Sequence, residues 1–254
     1  MRAGKKKMKR FNLLIDADDT LWHNNVYYEQ GIIDFVDALE RLGFSREETE
    51  QRMRRREMEN VRHQGYGSRS FTVSLTEVYM ECCRDAGLET DGEMLQFIEK
   101  TGASTRDYPI QFLEGVENTL PRLAGSHRLI LLTKGVQDEQ MAKVERSGVS
   151  SYFESVVVVP EKNEKIYRQI LQDYGLHPEI TFMVGNSPRS DINPAKAAGL
   201  RTVFIPYHAT WEFEVENIHD QGHETITLND FSQLEGIFTG TEDEGEGFIP
   251  CQHQ

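Results

Sequence analysis

The chain has 254 residues, enough to bury a full core in one large domain or two modest ones. Its 42 acidic residues outnumber its 28 basic ones, and the formal net charge of -14 and pI near 5.1 argue against a general nucleic-acid or membrane-surface binder. No apolar run reaches the roughly eighteen residues that a membrane-spanning helix needs.

Residues 1–10 are basic and lack an apolar run with a small-residue cleavage site, so they read as a flexible arm rather than a secretory signal. Phe11, Leu13, Leu14 and Ile15 then predict a buried strand that runs into Asp16-Ala17-Asp18-Asp19-Thr20-Leu21. Side chains alternate along a strand, so Asp16 and Asp18 fall on one side and Ala17 on the other. Two carboxylates on one side repel each other unless a cation or a proton lies between them. The pair points to metal binding, acid–base chemistry or both, against the plainer reading of a turn that caps a helix.

Beyond Leu21 the pattern is helical. Ile32, Phe35, Val36, Leu39 and Leu42 recur at three- and four-residue steps and stop near Gly43. Ser45 with Glu48 forms a capping box that opens a strongly charged helix through Val61. Gly65 and Gly67 break it, a third helix is predicted over 71–86 with Gly87 as its stop, and a fourth over 92–100. Cys82 and Cys83 are adjacent on the third helix. Without any Cys-x-x-Cys spacing, the three cysteines suggest neither zinc nor a disulfide framework, and a reducing cytoplasm is the expected compartment.

From Tyr108 helices and strands alternate. Helices are predicted over 116–123, 137–147, 164–174, 194–199 and 231–237, and strands over 128–133, 155–159, 181–185, 202–206 and 224–228. Short apolar strands alternating with helices indicate an α/β fold, a Rossmann-like parallel sheet with helices on both faces. The expected organisation is a discontinuous core domain, 11–23 and 107–240, interrupted by an all-helical cap domain at 24–106. Residues 241–254, acidic and glycine-rich, are expected to be a disordered tail.

In such sheets ligands bind beyond the carboxyl ends of the strands. The first end supplies Asp16 and Asp18, and the second Thr133 with Lys134 and Gly135. Lys162 and Lys165 follow the third, and Gly185-Asn186-Ser187-Pro188-Arg189-Ser190-Asp191 the fourth. Each alone reads as a turn or a helix start. Together, four polar features at four strand ends converge on one crevice.

The motifs resemble those of the haloacid dehalogenase-like hydrolase superfamily, in the family's order over residues 11–206. Asp16 to Leu21 is similar to its Asp-x-Asp-x-Thr-Leu motif, Thr133 to its second motif, Lys162 to its third and Gly185 to Asp191 to its fourth. The helical insert is similar to the family's helical (C1-type) cap. The resemblance implies a phosphatase in which Asp16 attacks phosphorus and Asp18 serves as general acid and base. Thr133 would bind a phosphoryl oxygen and Lys162, or failing it Lys165, would neutralise charge. Mg2+ would be held by Asp16, the Asp18 carbonyl, Asn186 and Asp191. Asn186 departs from the family, which usually places an acid there; it keeps an oxygen for the metal but removes a charge.

Trp22 and His23, where the chain leaves the core, are candidate substrate-binding residues together with Lys134, Gly135 and Thr133. Arg52, Arg54, Arg55 and Arg56 are candidates to meet a second anionic group or, interleaved with Glu48, Glu50, Glu57 and Glu59, to form a solvated face. The expected substrate is a small phosphorylated metabolite. Three alternatives stay open: a phosphomutase, a 2-haloacid dehalogenase-like hydrolase, and a binding or regulatory protein with a weakened site. Asn186 leans toward the dehalogenases, whereas Asp18 has no task in displacing halide.

Overall fold

In the computed structural model, which describes residues 10–220 and 222–238, six parallel strands form one sheet in the order β3-β2-β1-β4-β5-β6. They are β1 (Asn12–Ile15), β2 (Arg128–Lys134), β3 (Ser155–Val159), β4 (Thr181–Gly185), β5 (Arg201–Phe204) and β6 (Thr225–Thr227). The predicted basic arm, apart from Arg10, and the predicted acidic tail lie outside the described residues. Strand order departs in opposite directions on either side of β1 and β4, which makes their carboxyl ends the switch point where such sheets bind ligands.

Alternation along the strands divides the apolar residues between two faces. Leu13, Ile15, Leu129 and Leu131 pack with Leu120, Leu123, Leu234 and Phe238 of α5 (Val116–Ser126) and α9 (Leu234–Phe238). Leu14, Ile130 and Leu132 pack on the other face with Tyr167, Ile170 and Leu171. These last belong to α7 (Glu164–Asp173), and α6 (Gln137–Ser147) and α8 (Asn193–Ala197) complete the coat.

Four helices intervene between β1 and α5: α1 (Asn25–Arg41), α2 (Arg46–Gln64), α3 (Ser68–Ala86) and α4 (Gly92–Asp107). They have their own apolar cluster, built on Phe35, Leu39, Leu75, Val78, Tyr79 and Ile98. The Ser45 hydroxyl accepts from the Glu48 amide at 3.4 Å, and left-handed Gly87 ends α3. The helix predicted over 92–100 continues to Asp107, and α3 begins three residues early, because Gly67 rather than an apolar residue marks its entry.

The chain crosses between the helical layer and the sheet twice, and the two crossings pair. The His23 amide donates to the Gln111 carbonyl at 3.0 Å, Leu113 to Leu21 at 2.9 Å, and Trp22 bridges Phe112 antiparallel. Among the described residues no helix is long and apolar enough to cross a membrane, and Cys82 and Cys83 are buried, unpaired thiols.

Candidate active site

Register sets the site. Ile15 lies opposite Leu131 and Val184, so Asp16 is level with Leu132 and Gly185, and its amide donates to the Val184 carbonyl at 3.0 Å. β2 runs on for two more residues, which carries Thr133 and Lys134 beyond it. The ends of β1, β2 and β4, the start of α7 and the segment after β5 enclose a cavity of about 970 Å3, mouth included. Asp16, Asp18, Thr133, Lys134, Gly135, Lys162, Asn186 and Asp191 all line it.

The Lys162 ammonium sits between two carboxylates, 2.5 Å from Asp16 Oδ1 and 2.7 Å from Asp191 Oδ1. All three side chains are buried. Lys165 is exposed on the first turn of α7, so the inward cation is Lys162. Asn163 explains the choice: its side chain caps α7 by accepting from the Ile166 amide, which leaves Lys162 in the extended stretch before the helix. Burial, with Asp191 and Asp18 nearby, pushes the Asp16 carboxyl up to about 7 against the pull of Lys162.

Asp18 is held differently. Lys143 Nζ lies 2.8 Å from Oδ2 and 3.0 Å from Oδ1, Gln140 Nε2 donates to Oδ2 at 2.9 Å, and the Trp22 indole donates to Oδ1 at 2.8 Å. Against the cost of burial, these partners hold its carboxyl below the usual range. Gln140 Nε2 also donates to Thr133 Oγ1 at 2.8 Å, which leaves the Thr133 O–H free to donate into the cavity. Gly135, at φ +143°, follows β2 where a Cβ would press on Gln140 at 3.2 Å.

Sequence reasoning missed Lys143, Gln140, Asp19 and Glu214. Asp19, at φ +61°, accepts from the Asn24 and Asn25 amides at 2.8 and 3.1 Å and so caps α1. Burial and the neighbouring Asp18 push it up to about 8. Glu214 accepts from Lys134 Nζ, Ser187 Oγ and Ser190 Oγ, each at 2.5 Å. Lys134, expected to bind substrate, is thus already paired, and it also meets the Tyr66 hydroxyl at 3.2 Å. The 207–214 segment is a wall of the site, contributing Thr210, Trp211 and Glu214.

Two expected contacts are absent from the cavity lining. Trp22 is 0% exposed within the sheet core, because its pairing with Phe112 turns the indole inward onto Asp18. His23 turns to the Tyr207 hydroxyl, 2.7 Å from Nδ1. The α2 arginines also face elsewhere: Arg52 pairs with Asp85 at 2.7 Å, and Arg55 and Arg56 pair with Glu81 across α3.

The residues fit a hard divalent cation. Thr20 Oγ1 lies within hydrogen-bond distance of both Asp16 Oδ2 and Asn186 Oδ1, at 3.1 and 3.2 Å, its one hydrogen shared between them, which gathers two oxygen ligands around one point. Four carboxylates, Asp16, Asp18, Asp19 and Asp191, share two lysines, Lys143 and Lys162, so the raised Asp16 and Asp19 carboxyls could ionise together only with a further cation beside them. Asp191, expected from the motif to ligate, meets Lys162 with one oxygen and accepts from the Ser187 amide at 3.0 Å with the other, each oxygen keeping a further lone pair. Among the described residues no three His, Cys, Asp or Glu side chains form a metal cluster.

The chain is similar in sequence and fold to known proteins. A haloacid dehalogenase-like family hydrolase from Xanthomonas campestris superposes with a TM-score of 0.75 at 27% identity, covering 90% of this chain and 94% of that one. A glyceraldehyde 3-phosphate phosphatase from Methanopyrus kandleri is 24% identical over 220 residues, 82% of this chain and 89% of the relative. A second, from Methanothermobacter thermautotrophicus, is 30% identical over 116 residues, 44% of this chain and about half (51%) of the relative. The family model for haloacid dehalogenase-like hydrolases matches residues 12–199, from the first residue of β1 to just beyond α8. With the sheet order and four motifs assembled at one set of strand ends, the chain belongs to the haloacid dehalogenase-like hydrolases.

Proposed function

We propose that the protein hydrolyses a small-molecule phosphate monoester in two displacements on Asp16, with Mg2+ as cofactor. The observation that carries this reading is the division of labour between two nearby carboxylates. Asp16 shares Lys162 with Asp191, while Asp18 has its own clamp of Lys143, Gln140 and Trp22. Two acids in different environments can take different parts in one reaction.

In the first displacement an Asp16 oxygen attacks phosphorus and the P–O bond to the alcohol breaks. Thr133 donates to a phosphoryl oxygen, and Lys162 offsets the charge gathered on the nucleophile. The departing alkoxide takes a proton from Asp18, whose affinity for one rises as the phosphate dianion enters beside it. In the second, Asp18 removes a proton from water, the water oxygen attacks the aspartyl-phosphate at phosphorus, and inorganic phosphate leaves with Asp16 restored. Mg2+, held by the Asp16 carboxylate, the Asp18 carbonyl and the Asn186 side-chain oxygen, would supply charge neutralisation where two anions meet.

Asp18 also separates this reading from the dehalogenase alternative, since halide displacement leaves no oxygen to protonate. The experiment measures phosphate release from a panel of phosphorylated metabolites by wild type and Asp16→Asn, with Mg2+ and with a chelator. Release that needs both Asp16 and Mg2+ is expected. Equal release by Asp16→Asn, or indifference to chelation, would sink the reading.

A further inference from the structure

The part of the cavity lined by the helical layer and by the segment after β5 has a lopsided chemistry. Its walls are aromatic. Tyr28 and Phe71 meet edge to face with centroids 5.1 Å apart, and Tyr66 and Trp211 do so at 6.2 Å. The carboxylate that α1 to α3 contribute to the lining is Glu57.

No cation among the described lining residues comes from the helical layer. The three lining lysines all come from the sheet domain, and each is already in contact with a carboxylate: Lys134 with Glu214, Lys143 with Asp18, Lys162 with Asp16 and Asp191. Seven carboxylates line the cavity against these three lysines. Glu57 itself is half-buried, takes a hydrogen bond from the Trp211 side chain, and has Glu212 as a like-charged neighbour.

Resting on the phosphatase reading above, we propose that this end of the cavity selects monoesters whose alcohol carries an ammonium group and no second anion, with Glu57 as the residue that reads the ammonium. A carboxylate or second phosphate there would face Glu57 and find no free cation, at the cost of like-charge repulsion in a poorly solvated space. An ammonium group gains a charged partner in Glu57 and the aromatic walls other than Tyr66, whose ring already faces Lys134 at 4.2 Å. Burial and Glu212 push the Glu57 carboxyl up to about 7, and an ammonium group beside it would favour the ionised form.

The test compares kcat/KM for 3-aminopropyl phosphate, n-butyl phosphate and 2-carboxyethyl phosphate at saturating Mg2+, with p-nitrophenyl phosphate as a general phosphatase substrate. Wild type, Glu57→Gln and Glu57→Lys are assayed, and ratios between esters within each variant cancel any general loss. The amine ester is expected to exceed butyl phosphate by about tenfold, mainly through KM, with the carboxylate ester slowest. Glu57→Gln should collapse that ratio to within about threefold, and Glu57→Lys should invert the order of amine and carboxylate esters. A wild type that does not prefer the amine ester, or a ratio that survives Glu57→Gln, overturns the proposal while leaving the phosphatase reading intact if p-nitrophenyl phosphate is cleaved. Failure to cleave any of the four overturns both.

Discussion

Glu57 can also be tested without any substrate, through the stability of the fold. Burial and the neighbouring Glu212 raise its carboxyl from an ordinary value of 4.5 to about 7. Below pH 4.5 the group is protonated whether the chain is folded or not. Between 4.5 and 7 the unfolded chain releases the proton and the folded one keeps it, so stability falls as pH rises. At about 1.4 kcal/mol per tenfold, the full interval is worth on the order of 3 kcal/mol above pH 7. Glu57→Gln keeps the shape and removes the proton. Urea unfolding of the two proteins should therefore coincide near pH 4, diverge through pH 6, and leave the Gln variant about 3 kcal/mol more stable at pH 8. Taking the difference between variants cancels the titration of every other carboxylate. A difference that stays flat from pH 4 to 8, or one favouring wild type at pH 8, would refute the reasoning.

Gly185→Ala would place a Cβ 2.2 Å from Asp191 Oδ2, so Asp191 must leave Lys162. Phosphate release should fall about a hundredfold, and a variant with unaltered activity would show that the Lys162–Asp191 contact is dispensable. Trp22→Phe keeps an aromatic ring in the core but removes the donor 2.8 Å from Asp18 Oδ1. It should cost about 1–2 kcal/mol in urea unfolding and lower kcat/KM about tenfold, and indifference in both would reduce the indole to packing. Gly102→Ala would drive a Cβ to 1.8 Å from Thr72 Oγ1, where α4 crosses α3. A loss of about 1–3 kcal/mol in stability is expected, against no loss if the two helices can separate freely.

The sheet was legible because its strands are short apolar runs with polar ends. Ser155–Val159 and Thr181–Gly185 form over the segments predicted, and the regular alternation with helices implies their parallel pairing. The strand-end residues were legible for the same reason, since register alone carries Asp16, Thr133 and Gly185 to one edge. Gln140 and Lys143 were not. In the sequence they sit on a charged helix among Asp138, Glu139 and Glu145, where a glutamine and a lysine read as solvent-facing. Only the fold brings the start of α6 over the end of β2, where Gln140 meets Thr133, and so turns them toward Asp18. Trp22 misled in the opposite sense: its place at the exit from the core suggested a cavity wall, but its pairing with Phe112 rotates it inward. Nor could the sequence tell that the α2 arginines meet acids on α3, because that depends on how two helices cross.

The apolar clusters divide cleanly. Two belong to the faces of the sheet and one to the four helices, and none spans the boundary between them. Over the cavity the two bodies meet through a few polar and aromatic contacts: the Tyr66 hydroxyl donates to Glu161 at 2.9 Å and accepts from Lys134 at 3.2 Å, its ring meets Trp211 edge to face, and the start of α3 meets Glu139, with Ser68 N and Oγ at 3.1 and 2.5 Å. Each such bond is worth only about 0.5–1.5 kcal/mol net, because water replaces it when it breaks. Parting the helical layer from the sheet along this seam would therefore bare neither hydrophobic core, and would cost less than unfolding either body.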